Sequence, residues 1–148
     1  MAKFVYRMQS VLDIKYKIEA QAKAHYAMMQ MRYNEEQEKL EKMIIHKKYL
    51  EDKYRKTASG SLKVMELMEA KRAIDFQRDA IKKQLIEVKV AEKNLEAART
   101  RLNEVMKERK THEKLREHAF DDFLLELSAE EKKEIDELVS YRYGSVSE

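Results

Sequence analysis

The chain has 148 residues, of which 40% are charged, and its 31 basic and 28 acidic residues give a formal net charge of +3. The charges are interspersed as on a solvated helix surface, which argues against the basic stripe that a nucleic-acid-binding protein requires. The chain has no cysteine, which excludes a disulfide, a thiolate nucleophile and a thiolate metal site. With no proline and only two glycines, the composition indicates long helices that share a narrow apolar seam.

Membrane insertion and secretion are not predicted. No apolar run approaches the roughly 18 residues that a membrane span needs. Residues 1–9 hold no uninterrupted apolar block long enough for a signal peptide. We therefore expect a cytoplasmic protein.

The first predicted helix spans about residues 4–57. Eleven of the fifteen a and d positions in one heptad frame are apolar or tyrosine. The a positions are Val5, Leu12, Glu19, Tyr26, Tyr33, Leu40, Lys47 and Tyr54, and the d positions are Met8, Lys15, Ala22, Met29, Glu36, Met43 and Leu50. Ser10 and Asp13 have the spacing of a capping box, which predicts that the regular helix starts there.

A short turn is predicted at residues 58–61. Gly60 can adopt the left-handed conformation that ends a helix, and Ser59 or Ser61 can cap the next helix. Because so short a connection favours antiparallel neighbours, the sequence predicts a helical hairpin.

The second predicted helix spans about residues 62–127. Roughly 65 helical residues would extend about 100 Å, so this helix needs a partner along its length. Its a positions are mostly apolar and comprise Leu67, Ile74, Ile81, Val88, Leu95, Leu102, Arg109, Arg116 and Phe123. Its predicted d positions are more polar and comprise Lys71, Arg78, Leu85, Glu92, Arg99, Met106, Glu113, Phe120 and Leu127.

The second helix is longer than the first, so its far end is predicted to extend beyond the pairing. The arginines at a positions 109 and 116 fit an unpaired overhang from about Arg109. An apolar cluster then follows, made of Phe120, Phe123, Leu124, Leu125 and Leu127. Ser128 and Glu131 form a capping signal for a short helix over residues 129–140, or the long helix continues; residues 141–148 are predicted to be disordered.

No catalytic constellation is present. The four histidines, His25, His46, His112 and His118, are predicted to be exposed helix residues, and no metal or cofactor is expected. Carboxylates on two paired helices have no pocket that would shift their pKa values, so we expect no enzyme. Side chains off the seam are instead candidates for partner contacts, and these are Met28, Met31, Tyr16 and Tyr49.

Segments along nearly the whole chain carry a resemblance to one known family. The N-terminal run from Phe4 to Asp13 is similar to that family's aromatic opening. Ser59-Gly60-Ser61, Glu66-Leu67 and Ala80 to Gln84 are similar to its hairpin tip and early second helix. The late matches are Ala98 to Leu115 and Glu131 to Leu138. Through these segments the chain resembles the FliJ family of the bacterial flagellar type III export apparatus.

The resemblance implies an all-α antiparallel coiled-coil hairpin, similar to the central stalk of rotary ATPases, with a short C-terminal helix or tail. It implies docking of the open end in the hexameric export ATPase, and from the predicted hairpin we expect the contact residues at that end to be Phe4, Met8, Leu12, Phe120, Phe123 and Leu127. It also implies contact with the cytoplasmic domain of the membrane export gate, and we expect the contact residues near the tip to be Tyr49, Tyr54 and Phe76. Export chaperones are further implied partners, and the implied location is the cytoplasmic face of the flagellar base.

Two other functions share this architecture. One is the central stalk of an ion-translocating rotary ATPase, although such subunits are generally larger. The other is a nucleic-acid-binding or architectural coiled coil, whose binding would weaken steeply with salt.

Overall fold

The described residues of the chain, in a computed structural model, are 3–60, 63–127 and 129–146. They form three helices and no strand, which confirms the predicted all-α class. The helices are α1 (Gln9–Ala58), α2 (Val64–Glu126) and α3 (Ala129–Val146). The chain divides into two compact units, each built from segments of α1 and α2. The terminal unit comprises Met1–Gln21 and Asn103–Glu148, and the middle unit comprises Ala22–Leu102.

In the middle unit, α1 and α2 pack antiparallel. Residues further along α1 contact residues earlier on α2: the Gln84 side-chain amide donates to the Glu36 carbonyl (3.0 Å), and that of Gln77 donates to the Met43 carbonyl (3.3 Å). The apolar centre of this unit consists of Met29, Leu95 and Ala98, with Tyr26 and Tyr33 packed against it. A seam of this width buries little area per residue, so its stability depends on each heptad layer.

The predicted seam of α1 is confirmed from Leu12 to Tyr54. Every a and d position in that range is buried or half-buried, including the charged ones. Leu12 is 2% exposed and Met29 is 7% exposed, whereas Val5 and Met8 precede the helix and are exposed.

The predicted d positions of α2 are wrong. Six of the nine are exposed: Lys71, Arg78, Leu85, Glu92, Arg99 and Phe120. A d position follows its a position by three residues, whereas the predicted set follows by four. The residues one position earlier face α1 instead, and they are the buried or half-buried Ala70, Gln77, Gln84, Ala91, Ala98, Val105 and His112.

The start of α1 differs from the prediction. The helix begins at Gln9, and the Leu12 N–H donates to the Met8 carbonyl (3.1 Å). Ser10 therefore lies inside the first turn and does not cap the helix. The side-chain amide of Gln9 donates to the Asp13 carboxylate (3.0 Å) and supports this first turn.

The end of α1 also forms in an unexpected way. Gly60 does not have a positive φ, so the predicted left-handed conformation is wrong. Hydroxyl groups satisfy carbonyls of the last turns, because Thr57 donates to the Lys53 carbonyl and Ser59 to the Lys56 carbonyl, each at 2.9 Å. Ser59 thus belongs to the end of α1, while Ser61 lies outside the described residues.

The C-terminal segment is more helical than the sequence predicts. α3 continues to Val146, past the expected end at Ser140, so the prediction of disorder from residue 141 is wrong for residues 141–146. Ser128, the predicted cap of this helix, lies outside the described residues.

Candidate partner-binding surfaces

A bidentate ion pair lies at the centre of the terminal unit. Arg109 donates through Nε to Glu19 Oε2 (2.7 Å) and through Nη2 to Glu19 Oε1 (3.2 Å). The Glu19 side chain is 6% exposed and that of Arg109 is 18% exposed. Hydrogen bonding to Glu19 is the main reason that the pKa of Arg109 lies above its ordinary value.

Arg109 also joins Glu19 to a second carboxylate. Its Nη1 donates to Glu113 Oε2 (3.1 Å), and the Tyr16 hydroxyl donates to Glu113 Oε1 (2.5 Å). The phenol hydrogen bond lowers the pKa of Glu113 below the ordinary carboxyl value; desolvation opposes this and Arg109 adds to it. The same bond raises the pKa of Tyr16. Four side chains thus form one charged layer between α1 and α2.

The predicted overhang from Arg109 is therefore wrong. Besides the Glu19–Arg109 pair, Lys15 contacts Glu108 (3.0 Å), and Arg116 donates to the Gln9 side-chain oxygen (2.9 Å). The first turns of α1 accompany α2 through this region. An arginine at a seam position predicts exposure, but Arg109 instead forms an ion pair with Glu19 across the seam.

The charged layer predicts a specific response to acid. Because the folded-state pKa of Glu113 is lowered, its stabilising contribution is present above the unfolded pKa and is lost as pH falls through the folded pKa. Tyr16→Phe removes the main cause of the lowering. We expect the melting temperature of this variant to fall less steeply than that of the wild type below about pH 5.

The measurement is thermal unfolding followed by circular dichroism from neutral pH to pH 3, with Tyr49→Phe as the matched control. The ring of Tyr49 is exposed and lies beside His46 in the middle unit. If the melting temperatures of Tyr16→Phe and the wild type fall equally steeply as the pH is lowered, the phenol does not affect the Glu113 titration.

An aromatic cluster forms in the terminal unit where the residues before α1 meet the last turns of α2. The Phe4 ring packs edge-on against Phe120, with centroids 5.1 Å apart, and lies 5.4 Å from Phe123. The Arg116 guanidinium lies 5.7 Å from the centre of the Phe4 ring. Phe120 is 41% exposed, so the cluster is both internally packed and open to a partner.

These three aromatic residues belong to the set predicted for the ATPase end, and the fold brings them together. The other members of that set differ in exposure. Met8 is exposed, whereas Leu12 and Leu127 are buried and offer little surface to a partner. Whether these residues contact an ATPase stays a prediction.

The three residues predicted near the tip lie in the middle unit. Tyr49 and Phe76 are exposed, at 61% and 75%. Tyr54 is half-buried on the seam and lines a cavity of about 340 Å³ with Ile74 and Arg78. Tyr49 and Phe76 can therefore offer contact area, while Tyr54 is first a seam residue.

An exposed apolar stripe on α2 was missed by the sequence reasoning. Its members recur at spacings that place them on one face of a helix, and all are exposed: Met65, Met68, Phe76, Ile86 and Val90. The signal was present in the sequence as a second apolar periodicity, offset from the heptad seam. Arg72, Asp79 and Lys83 lie on the same face by spacing, so charged residues of both signs stand between the apolar members of the stripe.

The histidines behave as predicted with one exception. His25, His46 and His118 are exposed, but His112 is half-buried at a d position, and its Nδ1 is buried without a hydrogen-bond partner. Across the described residues, no group of three His, Cys, Asp or Glu side chains is placed to hold a metal ion.

A cleft between the end of α2 and α3 completes the terminal unit's surface. It has a volume of about 460 Å³ and an apolar lining of Leu124, Leu125, Leu127 and Ile135. Asp121, Lys132 and Asp136 also line it. The leucines were recognised as an apolar cluster from the sequence, but the cleft depends on the return of α3.

Within each unit, segments of α1 and α2 pack antiparallel, and the terminal unit also contains the short helix α3. Together with the exposed aromatic residues, these features define a coiled-coil interaction protein. The family described as flagellar FliJ protein matches residues 4–148, and the chain belongs to this family. It is therefore a component of flagellar protein export. Comparisons with curated proteins and with solved structures return no match. Within the described ranges, no helix is both long and apolar enough to cross a membrane.

Proposed function

We propose that the chain is a non-enzymatic stalk and chaperone-escort component of flagellar export. In this proposal it docks in the ring of the export ATPase and couples that ring to the cytoplasmic domain of the membrane export gate. It reaches the cytoplasmic face of the flagellar base through these protein partners and also binds export chaperones. Family membership supports the setting, and the aromatic cluster of Phe4, Phe120 and Phe123 is the observation that carries the docking step.

The cluster has the physical properties of a binding anchor. Aromatic side chains dominate the energetics of protein interfaces when they enter a desolvated pocket. The contacts of Phe4 with Phe120 and Phe123 hold the rings before any partner arrives. This order reduces the entropy lost on binding, since fewer side-chain rotamers remain to be restricted.

The gate contact is assigned to the middle unit. Phe76 and Tyr49 are large exposed rings on α2 and α1, and a solvated helix surface gains little stability from them. Placing the ATPase contact on one unit and the gate contact on the other gives coupling a simple basis, because one chain can then engage both partners together.

The test uses two variants and two readouts. Phe120→Ala is expected to weaken binding to the purified export ATPase about tenfold or more and to reduce stimulation of its ATP turnover, because truncating an aromatic anchor is costly. Phe76→Ala is expected to leave that stimulation unchanged and to weaken binding to the purified cytoplasmic domain of the gate.

Leu115→Ala is the matched control for Phe120→Ala. Leu115 is exposed on α2 five residues earlier, on a different face of the helix. Circular dichroism confirms that each variant remains folded. Full stimulation by Phe120→Ala, or the same loss with Leu115→Ala, would contradict docking through the aromatic cluster.

A further inference from the structure

The cleft between α2 and α3 has the dimensions and lining of a binding groove. Its volume of about 460 Å³ lies within the range of about 300–1,000 Å³ that is typical of ligand-binding clefts. Leu127 is 9% exposed and forms part of its base, while Leu125 is 76% exposed. A leucine with so much exposed surface beside a formed cleft is available to a partner.

The apolar surface continues along α3. Leu138 and Val139 follow Ile135 by three and four residues, so all three lie on one face of the helix. Both are about half exposed, at 53% and 47%. The groove and this face together offer an extended apolar strip, which fits a helical segment better than a compact small molecule.

The charge around the groove differs in sign from the rest of the chain. Residues 121–141 hold eight acidic and two basic residues, a net charge of −6. Residues 1–120 hold 28 basic and 19 acidic residues, a net charge of +9. At the groove itself, the carboxylates of Asp121 and Asp136 outnumber the single ammonium group of Lys132.

The apolar lining and the acidic charge of the groove together indicate which kind of partner it can bind. An isologous contact between two copies would place one acidic segment against another, and the like charges would repel. Anionic lipid headgroups and nucleic acid phosphates would be repelled for the same reason. An apolar helix face flanked by lysine or arginine matches both the leucine lining and the carboxylates.

We propose that the α2–α3 groove binds a basic amphipathic helix of a partner protein. The apolar face of that helix packs on Leu124, Leu125 and Ile135, and its basic side chains reach Asp121 and Asp136. The inference does not rest on docking through the aromatic cluster, since Phe4, Phe120 and Phe123 do not line the groove; of the residues predicted for the ATPase end, Leu127 does.

The test titrates the full-length, ¹⁵N-labelled chain with two synthetic 18-residue peptides. Both carry leucine at helical spacing, and one has lysine where the other has glutamate. We expect the lysine peptide to bind at least about tenfold more tightly, because only its charge complements the groove. Its NMR shift changes should concentrate on residues 121–139, and its affinity should fall with added salt.

Three variants separate the contributions. Leu125→Ser removes apolar contact at an exposed position and should weaken the lysine peptide about tenfold, with the exposed Leu115→Ser as its unaffected control. Asp121→Lys combined with Asp136→Lys should reverse the preference towards the glutamate peptide.

Equal binding of the two peptides, binding of neither, or shift changes outside the groove would overturn the proposal. An unchanged preference after the double charge reversal would do the same. If light scattering shows an oligomer of the wild type that Leu125→Ser dissociates, a second copy occupies the groove and the proposed occupant is wrong.

Discussion

Arg109→Leu is expected to lower the melting temperature by about 10 °C, the effect of breaking a largely buried ion pair in a chain of this size. The substitution removes both hydrogen bonds that the guanidinium donates to Glu19, whose side chain is 6% exposed. A carboxylate withdrawn from water then keeps its desolvation penalty while losing its bidentate partner. Glu113 loses a donor at the same time. Thermal unfolding at neutral pH, followed by circular dichroism, measures the effect.

The matched control is Lys42→Leu, which breaks the pair between Lys42 and Glu38 (3.3 Å). Both side chains of that pair are exposed, at 75% and 65%, so its loss should barely change the melting temperature. Glu19→Leu combined with Arg109→Leu should recover most of the stability, because no buried charge remains. If Arg109→Leu is as mild as Lys42→Leu, the layer does not stabilise the fold.

The α1 seam shows how much a heptad pattern alone can predict. Its frame correctly includes Glu19 and Glu36, although a charged residue at a or d argues locally against burial. The frame succeeded because eleven of its fifteen positions are apolar or tyrosine, so the four charged positions do not obscure the period. The partners of these exceptions, Arg109 and Gln84, depend on the register between the helices and could not be read from either helix alone.

The α2 frame failed because its true d positions carry a weak hydrophobic signal. Ala91 and Ala98 bury little area, and Gln84 is polar, yet all three are buried. Leu85 was assigned to the seam although it is exposed. Small residues let α1 approach closely, so the bulky Met29 and Tyr26 of α1 supply much of the packing. The distribution of side-chain volume between α1 and α2 depends on how the two helices pair, so it cannot be read from the sequence of α2 alone.

The aromatic cluster and the α2–α3 groove likewise depend on contacts that no single helix shows in its sequence. The sequence places Phe4 and Phe120 at the same end of an antiparallel hairpin, but the contact between their rings was not predicted, because the expected overhang separated Phe120 from α1. The groove could not be predicted either, because its form depends on the direction that the chain takes after Leu127. The acidic composition of residues 121–141 was visible in the sequence, but only the fold shows that two of those carboxylates, Asp121 and Asp136, line the cleft beside the leucines.

The burial of Leu95 in the seam leads to the second large prediction. Leu95→Ala is expected to reduce the free energy of unfolding by about 2–5 kcal/mol, the usual range for truncating a buried leucine. Leu95 is 6% exposed and belongs to the central cluster with Met29 and Ala98. A narrow two-helix seam has few neighbours that can shift to fill the space, so the cavity should persist.

Leu85→Ala is the control, because the same chemical change is made ten residues earlier on the same helix. Leu85 is 44% exposed, and its truncation should change the free energy of unfolding by no more than about 0.5 kcal/mol. Equilibrium urea unfolding measures both, with the m-value showing whether the denatured state has changed. The original frame placed both leucines in the seam, so an effect at Leu85 as large as that at Leu95 would restore that frame and contradict the packing of α2 described above.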